Sequence, residues 1–134
     1  MRKLVLLLAL MVSSAAWAAP DHAAGRKLLS HYGWTSESGT VEMAYTLSES
    51  LSGNPETFYQ SASKEIRLDL SPAAGQEITL VRYTLSRRSK ETNSAIYAHV
   101  AFFKKEIIGA WLSTDAPIAP GISSLDNRDF GNDF

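Results

Sequence analysis

The chain has 134 residues, with 13 Lys and Arg against 14 Asp and Glu, and it contains no cysteine. This length supports one domain with its own hydrophobic core. The lack of cysteine excludes disulfides, thiolate nucleophiles and cysteine zinc sites, and the slightly acidic balance argues against nucleic-acid binding, which usually needs a basic excess.

The N-terminus has the pattern of a secretory signal peptide. Two cations, Arg2 and Lys3, precede an apolar run, and a small-residue Ala-Trp-Ala sequence ends at Ala18. A membrane-spanning helix needs about 20 apolar residues, and this run is shorter. We therefore expect cleavage before Ala19 and a secreted or periplasmic product with no transmembrane segment. Cleavage removes the two cations and leaves 11 basic against 14 acidic side chains.

A helix and a strand are predicted in the first part of the mature chain. Residues 21–33 form an amphipathic helix, with Asp21 as its N-cap and Gly33 in the left-handed position after its last turn. Gly25 weakens the first turns of this helix by about 1 kcal/mol relative to alanine. Residues 40–47 alternate apolar and polar side chains, which is typical of a half-buried strand.

A second helix is predicted from Asn54 to about Ile66. Asn54 is expected to cap it, with Pro55 at the first helical position, where a missing N–H costs nothing. The residues expected to face the core share helical spacing: Phe58, Tyr59, Ala62 and Ile66.

Three strands are predicted after the second helix, at 76–85, 95–103 and 106–113, and their short links favour antiparallel neighbours. Together with the first strand they predict an α+β fold, a four-stranded antiparallel sheet with two helices on one face.

The domain organisation follows from these elements. Residues 1–18 are the signal peptide, 19–114 form the single α+β domain, and 115–134 form an irregular C-terminal tail. The tail is rich in Pro, Gly, Asp and Asn, and we expect it to pack at most through Ile118, Ile122 and Leu125.

The stretch HVAFFKKEIIGAWLS, residues 99–113, predicts a buried hairpin with a two-residue turn at Lys104-Lys105. In this register Ala98 lies opposite Trp111, and Trp111 points to the face that the helices cover. Tyr97 and His99 point to the other face, which is also apolar and whose cover the sequence does not name. A longer turn would shift the register by one residue and exchange the two faces.

Three segments carry a resemblance to a known family. They are the helix closing in Tyr32-Gly33-Trp34, the segment LDLSPAAGQEITLVRYTL at 68–85, and AHVAFFKKEIIGAWLS at 98–113. The order and the amino-acid sequences of these segments resemble an uncharacterised bacterial extracytoplasmic family known only as a domain of unknown function, 4830 in that series. The resemblance extends over about residues 26–125. The resemblance implies an exported small α+β domain, and it supplies no activity and no catalytic residues.

Two short matches to functional motifs are incomplete. Ser61-Ala-Ser-Lys64 spells the S-x-x-K of penicillin-recognising enzymes, but the companion K-T-G is absent. The segment DNRDFGND, 126–133, fails as a calcium loop because Arg128 and Phe130 occupy liganding positions.

The histidines leave one enzymatic alternative open. His22, His31 and His99 show neither the i, i+4 spacing of a helical metal site nor an H-E-x-x-H sequence. A site assembled in space around His31 or His99 with a nearby acid would make the protein a small extracytoplasmic hydrolase. We predict no cofactor and no metal.

The leading hypothesis is an exported, non-catalytic interaction or accessory domain of the bacterial cell envelope. Its candidate contacts with a partner are Arg87, Arg88 and Lys90, on the loop 86–94, together with Tyr97 and His99. The partner is expected to be an envelope protein or an anionic wall polymer, not nucleic acid. A purely structural envelope protein is the third possibility, and the sequence leaves the oligomeric state open.

Overall fold

The computed structural model describes residues 19–116 and 121–134. In chain order, the elements are α1 (His22–His31), β1 (Ser36–Thr46), α2 (Glu56–Glu65), a 3-10 turn (Ser71–Ala73), β2 (Glu77–Leu85), β3 (Ile96–Phe103) and β4 (Glu106–Thr114). The strands form one antiparallel sheet in the order β1-β2-β3-β4. The α+β class and the four-stranded sheet are confirmed. The predicted signal peptide lies outside the described residues, and within those residues no helix has the length and hydrophobicity to cross a bilayer.

Helix α1 begins and ends as its sequence predicts. The Asp21 carboxylate accepts a hydrogen bond from the Ala24 N–H at 3.1 Å, which satisfies one of the unpaired donors of the first turn. Gly33 follows the last turn with φ +86°, and the Trp34 N–H donates back to the Leu29 carbonyl at 3.0 Å. The chain therefore reverses tightly into β1.

Gly25 is a packing requirement rather than a weak point of α1. A Cβ at this position would lie 1.9 Å from the hydroxyl oxygen of Tyr83. Tyr83 is fully buried, and its hydroxyl donates to the His22 carbonyl at 3.2 Å, so the ring has little room to move. The close approach of α1 to the sheet depends on a residue without a side chain here.

Gly25→Ala is therefore expected to destabilise the protein by about 1–3 kcal/mol, the usual cost of overpacking a core, although alanine is the better helix former by about 1 kcal/mol. Denaturant unfolding would measure the change. Ala23→Gly, at an exposed position of the same helix, is the matched control and should cost only the propensity difference. A Gly25→Ala protein more stable than wild type would contradict this account.

The two helices lie on opposite faces of the sheet, not on one face as the sequence analysis expected. Leu29 of α1 packs with Val81 in one hydrophobic cluster, whereas Ala62 of α2 packs with Leu80 in another. Leu80 and Val81 are consecutive in β2 and so point to opposite faces. We call these the α1 face and the α2 face. Because α1 covers one face and α2 covers part of the other, the central strands carry apolar side chains on both sides.

The start of α2 differs from the prediction. Asn54 does not cap it; Pro55 precedes the first turn and no side chain caps this end. Glu56 turns back instead and accepts hydrogen bonds from the Ser48 N–H at 3.0 Å and the Tyr45 hydroxyl at 2.9 Å. The first turn is thus tied to the end of β1.

The buried stripe of α2 is narrower than predicted. Ala62 and Ile66 are buried as expected and Tyr59 is partly buried, but Phe58 is 52% exposed. The fully buried Ser63 takes part in the contact with the sheet instead. The reason is that α2 lies beside the outer edge of β4, so that only one side of the helix meets protein.

The β3–β4 hairpin has the predicted two-residue turn. Lys104 and Lys105 both adopt positive φ, 51° and 70°, as the tight hairpin turn requires. Phe103 pairs with Glu106 and Phe102 with Ile107, which confirms the predicted register next to the turn.

Beyond the turn the predicted register is wrong, because β4 contains a β-bulge. Ala101 pairs with Gly109, so Ile108 is an extra residue in β4, and Trp111 lies opposite His99 rather than Ala98. A bulge of one residue moves the following side chains to the other face. Trp111 is therefore buried on the α2 face, on the same side of the sheet as His99.

The outer edge of β4 is covered by side chain and backbone. The Ser63 hydroxyl accepts from the Ala110 N–H at 3.1 Å and donates to the Ala110 carbonyl at 3.4 Å. Leu112 exchanges backbone hydrogen bonds of 2.7 and 3.1 Å with Ser123. The exposed donors and acceptors of an edge strand are thus satisfied on this side of the sheet.

The described part of the C-terminal tail belongs to the core of the α1 face. Leu125, Phe130 and Phe134 are buried there at 0%, 3% and 5% exposure, and the Trp34 indole N–H donates to the Leu125 carbonyl at 2.7 Å. Packing through Leu125 was predicted, whereas Phe130 and Phe134 were missed. Ile118 lies outside the described residues.

Candidate functional site

One half of the α2 face is not covered by α2. The residues of this uncovered half are neighbours across the strands. Arg82 of β2 lies opposite Val41 of β1 on one side and opposite His99 of β3 on the other. Directly paired residues share a face, and residues two apart on a strand join them. The surface, called the open face below, consists of Val41, Met43, Arg82, Tyr97, His99 and Ser113.

The open face contains exposed apolar side chains. Val41 is 46% exposed and Met43 is 40% exposed. Both lie on β1, the edge strand, beyond the reach of α2. Exposed apolar side chains that adjoin polar groups on a flat sheet are a common feature of protein contact surfaces.

A row of stacked rings separates the open face from the part that α2 covers. The Tyr59 ring of α2 stacks on Trp111 with centroids 4.1 Å apart and 9° between the planes. The Trp111 ring in turn stacks against the His99 imidazole at 5.6 Å and 14°. His99 is thus the ring at the end of this row that adjoins the open face.

Arg82 and Tyr97 form the polar centre of the open face. The Arg82 guanidinium carbon lies 4.4 Å from the centroid of the Tyr97 ring, in a cation–π contact. The Tyr97 hydroxyl donates to Asp115 at 2.6 Å, and this hydrogen bond raises the pKa of Tyr97. Among the described residues, the buried Nε of Arg82 has no hydrogen-bond partner.

His99 is held neutral. Its Nε2 lies 2.9 Å from the Ser113 hydroxyl in a hydrogen bond, while its buried Nδ1 has no partner among the described residues. Burial, aided by the positive charge of Arg82, lowers the pKa of His99 to about 4. The ring is therefore uncharged at neutral pH, with one polar nitrogen left unsatisfied.

The low pKa of His99 predicts a pH-dependent stability. In the unfolded chain the imidazole binds a proton near its ordinary pKa of about 6.5, but in the folded chain only near 4. Protonation thus favours unfolding, and the free energy of unfolding should fall by up to about 3 kcal/mol as the pH drops from 6.5 to 4. Above pH 6.5 this contribution is constant.

Denaturant unfolding of wild type and His99→Gln across this pH range would isolate the contribution of His99, since all carboxylates and the other histidines titrate in both proteins. We expect the wild type to lose more stability than His99→Gln as the pH falls. Parallel curves for the two proteins would show that folding does not lower the pKa of His99.

The three candidate cations of the loop 86–94, Arg87, Arg88 and Lys90, do not form one free charged surface. The Arg87 guanidinium lies 4.6 Å from the Trp34 ring centroid and donates to the tail carbonyls of Arg128, at 2.9 Å, and Phe130. Arg88 donates to the Asn93 carbonyl of its own loop at 2.9 and 2.6 Å. Lys90 is exposed. Two of the three cations are thus engaged in holding backbone carbonyls.

A cavity of about 160 Å³ lies beside Arg87. Tyr32, Gly33, Trp34, Thr35, Arg87 and Arg128 line it. Arg128 donates to the Tyr32 carbonyl at 3.2 Å, and a Cβ on Gly33 would lie 3.0 Å from its guanidinium. The cavity is therefore lined by the same groups that fasten the tail to the domain.

The candidate histidines do not converge. His31 ends α1 and is exposed, with its ring edge-on to Tyr32 at 4.9 Å, while His99 lies on the opposite face of the sheet. The His22 ring approaches the Glu42 carboxylate at 2.6 Å. In the part of the chain that the structure describes, no three His, Asp or Glu side chains are grouped as metal ligands.

Comparison with known families identifies the domain. The model of a family described as Domain of unknown function (DUF4830) matches residues 28–112. This chain belongs to that family. No curated protein and no solved structure matches the chain. The DUF4830 match covers the last four residues of α1, all of α2 and nearly the whole sheet. It includes every open-face residue except Ser113, which directly follows it.

The structure of this DUF4830 domain brings together only part of the predicted contact set. Tyr97 and His99 lie together on the open face, whereas Arg87 contacts the tail and Trp34. Arg82 was missed, although a cation within the apolar strand sequence ITLVRYTL is itself a signal. Val41 and Met43 were predicted to be strand residues, but their exposure depends on how far α2 reaches.

Proposed function

We propose that this DUF4830 protein is an exported, non-catalytic binding domain of the bacterial cell envelope, and that the open face is where it binds. The observation that supports binding is the pair of exposed apolar side chains, Val41 and Met43, on the same face of the sheet as the Arg82–Tyr97 contact. Exposed apolar side chains that adjoin polar groups are a common feature of protein contact surfaces. A bound partner would cover the apolar side chains.

The composition of the open face favours a protein partner over an anionic wall polymer. A polymer of regularly spaced anions needs several free cations, but Arg82 is the one cation of this surface, and Arg87 and Arg88 are engaged elsewhere. A mixture of aromatic, aliphatic and single charged side chains is typical of protein–protein interfaces. We therefore propose an envelope protein as the partner.

Binding would be tested with immobilised protein and two probes, solubilised envelope proteins and purified anionic wall polymer. Arg82→Gln and Tyr97→Ala should each reduce the retained envelope protein about tenfold or more, as expected of hot-spot residues. Lys27→Gln, which removes an exposed cation from α1, is the matched control and should bind like wild type. Equal retention by all variants would contradict the site, and retention of the polymer alone would contradict the partner class.

Export is proposed from the N-terminal sequence pattern. N-terminal sequencing of protein recovered from the producing cell should begin at Ala19 or within a residue or two of it. An intact Met1 on protein extracted from the membrane would contradict cleavage.

A second candidate function rests on the 2.9 Å contact between His99 and Ser113. A serine within hydrogen-bond distance of a histidine is the nucleophile and base of many hydrolases. Against this, a pKa of about 4 makes His99 a poor base at neutral pH. The acid near this site, Asp115, bonds Tyr97 instead of His99.

A fluorophosphonate probe would separate the two functions. If the protein is a hydrolase, Ser113 should be labelled, and His99→Ala should abolish the labelling. We expect no labelling of Ser113 in the folded wild-type protein.

A further inference from the structure

The outer edge of β1 is open, in contrast to that of β4. The Leu47 N–H donates inward to the Gln76 carbonyl at 3.0 Å, and antiparallel pairing alternates the direction of backbone groups along a strand. The N–H and C=O groups of Thr40, Glu42, Ala44 and Thr46 therefore point away from β2. Within the described residues, none of these groups has a hydrogen-bond partner on that side.

This edge is regular enough to accept another strand. Residues 40–46 pair with β2 without interruption, and the irregularity of β1 lies before them, between Ser36 and Thr40. The Ser38 carbonyl, in that irregular part, accepts from Arg26 at 3.0 Å. An additional strand can thus pair with residues 40–46 but not with the beginning of β1.

We infer that β1 pairs antiparallel with β1 of a second copy of this chain, about a two-fold axis at Met43. Glu42 then lies opposite Ala44 and Thr40 opposite Thr46, and each of these pairs consists of residues with outward backbone groups. Such pairs exchange both backbone hydrogen bonds. The two sheets become one continuous sheet, in the isologous arrangement typical of homodimers.

Side chains select this register. On the α2 side, Met43 meets Met43 of the second copy, and Val41 meets Tyr45, so that apolar groups face one another.

The two neighbouring positions of the axis are less favourable. An axis at Glu42 would place two carboxylates directly opposite, which is destabilising. An axis at Ala44 would place Thr40 opposite Ser48, which lies beyond β1 and bonds Glu56. The axis at Met43 is the one that pairs all four outward residues without opposing like charges.

Charge substitution at Ala44 tests the pairing and its register. Ala44 is exposed and, in the dimer, lies opposite Glu42 of the other copy. Sedimentation equilibrium of the purified protein should show a dimer whose Kd falls several-fold with Ala44→Lys and rises several-fold with Ala44→Glu. The same direction of change for both variants, or no change, would overturn the inference.

Single cysteines give an independent test, since the chain has none of its own. Met43 faces its copy at a pair without mutual hydrogen bonds, where Cα atoms are close enough for a disulfide. Met43→Cys should therefore form a disulfide-linked dimer under mild oxidation. Val41→Cys is the matched control on the same face, and it should not, because the two copies of Val41 are four residues apart along the strands, about 13 Å.

A Met43→Cys protein that stays monomeric, together with a monomeric wild type, would overturn self-pairing and leave the edge to a strand of another protein. The pairing involves Val41 and Met43 of the open face, but its test does not depend on the proposed function. Arg82, Tyr97 and His99 lie on β2 and β3, so their variants should leave the dimer Kd unchanged even where they abolish partner binding. A wild-type protein that binds envelope protein as a monomer would contradict the pairing alone, and a wild-type dimer that retains no envelope protein would contradict the proposed function alone.

Discussion

Replacing Trp111 by alanine is expected to lower the free energy of unfolding by about 3–5 kcal/mol, the usual cost of deleting a large buried aromatic side chain. Trp111 is 1% exposed and lies between the rings of Tyr59 and His99. Its removal leaves a cavity between α2 and the sheet, because α2 is also fixed to the β4 edge by Ser63 and cannot collapse freely. Denaturant unfolding followed by circular dichroism would measure the loss.

Tyr97→Ala is the matched control for this measurement. Tyr97 is also aromatic and lies on the same face, but it is only partly buried, so its truncation should cost clearly less. A Trp111→Ala protein that loses under about 1 kcal/mol, the range of exposed positions, would show that Trp111 is not in the core.

Removing the chain after Ser124 is expected to abolish cooperative folding. The deletion takes Leu125, Phe130 and Phe134 out of the α1-face core. Each such loss costs about 2–5 kcal/mol, against a total stability of about 5–15 kcal/mol. It also removes the carbonyl that accepts from the buried indole N–H of Trp34, and an unsatisfied buried donor adds to the cost.

Point variants within the tail keep this prediction testable if the truncated chain does not fold. Phe130→Ala should cost about 3–5 kcal/mol, whereas Asp129→Ala, at the neighbouring exposed position, should stay within about 0.5 kcal/mol of wild type. A truncated protein that unfolds with wild-type cooperativity and midpoint would show that the tail is dispensable.

Signals confined to a few adjacent residues predicted the structure well. The Asp21 cap and the Gly33 reversal are where the sequence places them, because both depend on the backbone conformation of one turn. The alternating pattern of β3 correctly places Tyr97 and His99 together on one face and Ala98 on the other. The Lys104-Lys105 turn forms despite its unusual residues, since a loop of two residues between paired strands enforces positive φ at both.

The candidate site was predictable only in part. Tyr97 and His99 were assigned to a face without a known cover, and that face is half open. Arg87 was grouped with Arg88 and Lys90 by charge alone, but its guanidinium binds tail carbonyls 41 and 43 residues away in sequence. A contact of this kind has no local signal, because nothing near Arg87 indicates which distant backbone groups reach it.

The sequence by itself determined the α+β class, the antiparallel pairing of the last three strands and the tight hairpin, all of which follow from local periodicity and short connections. Only the tertiary structure decided which faces the helices cover and where Trp111 points. The direction of Trp111 depends on the bulge in β4, next to which Gly109 lets Leu70 and Ser63 approach the strand, since a Cβ there would lie 2.5 Å from the Leu70 side chain. The faces that the helices cover depend on where the buried residues of α1 and α2 pack against the sheet. Packing between segments distant in sequence therefore set the register, and one inserted residue was enough to exchange the faces.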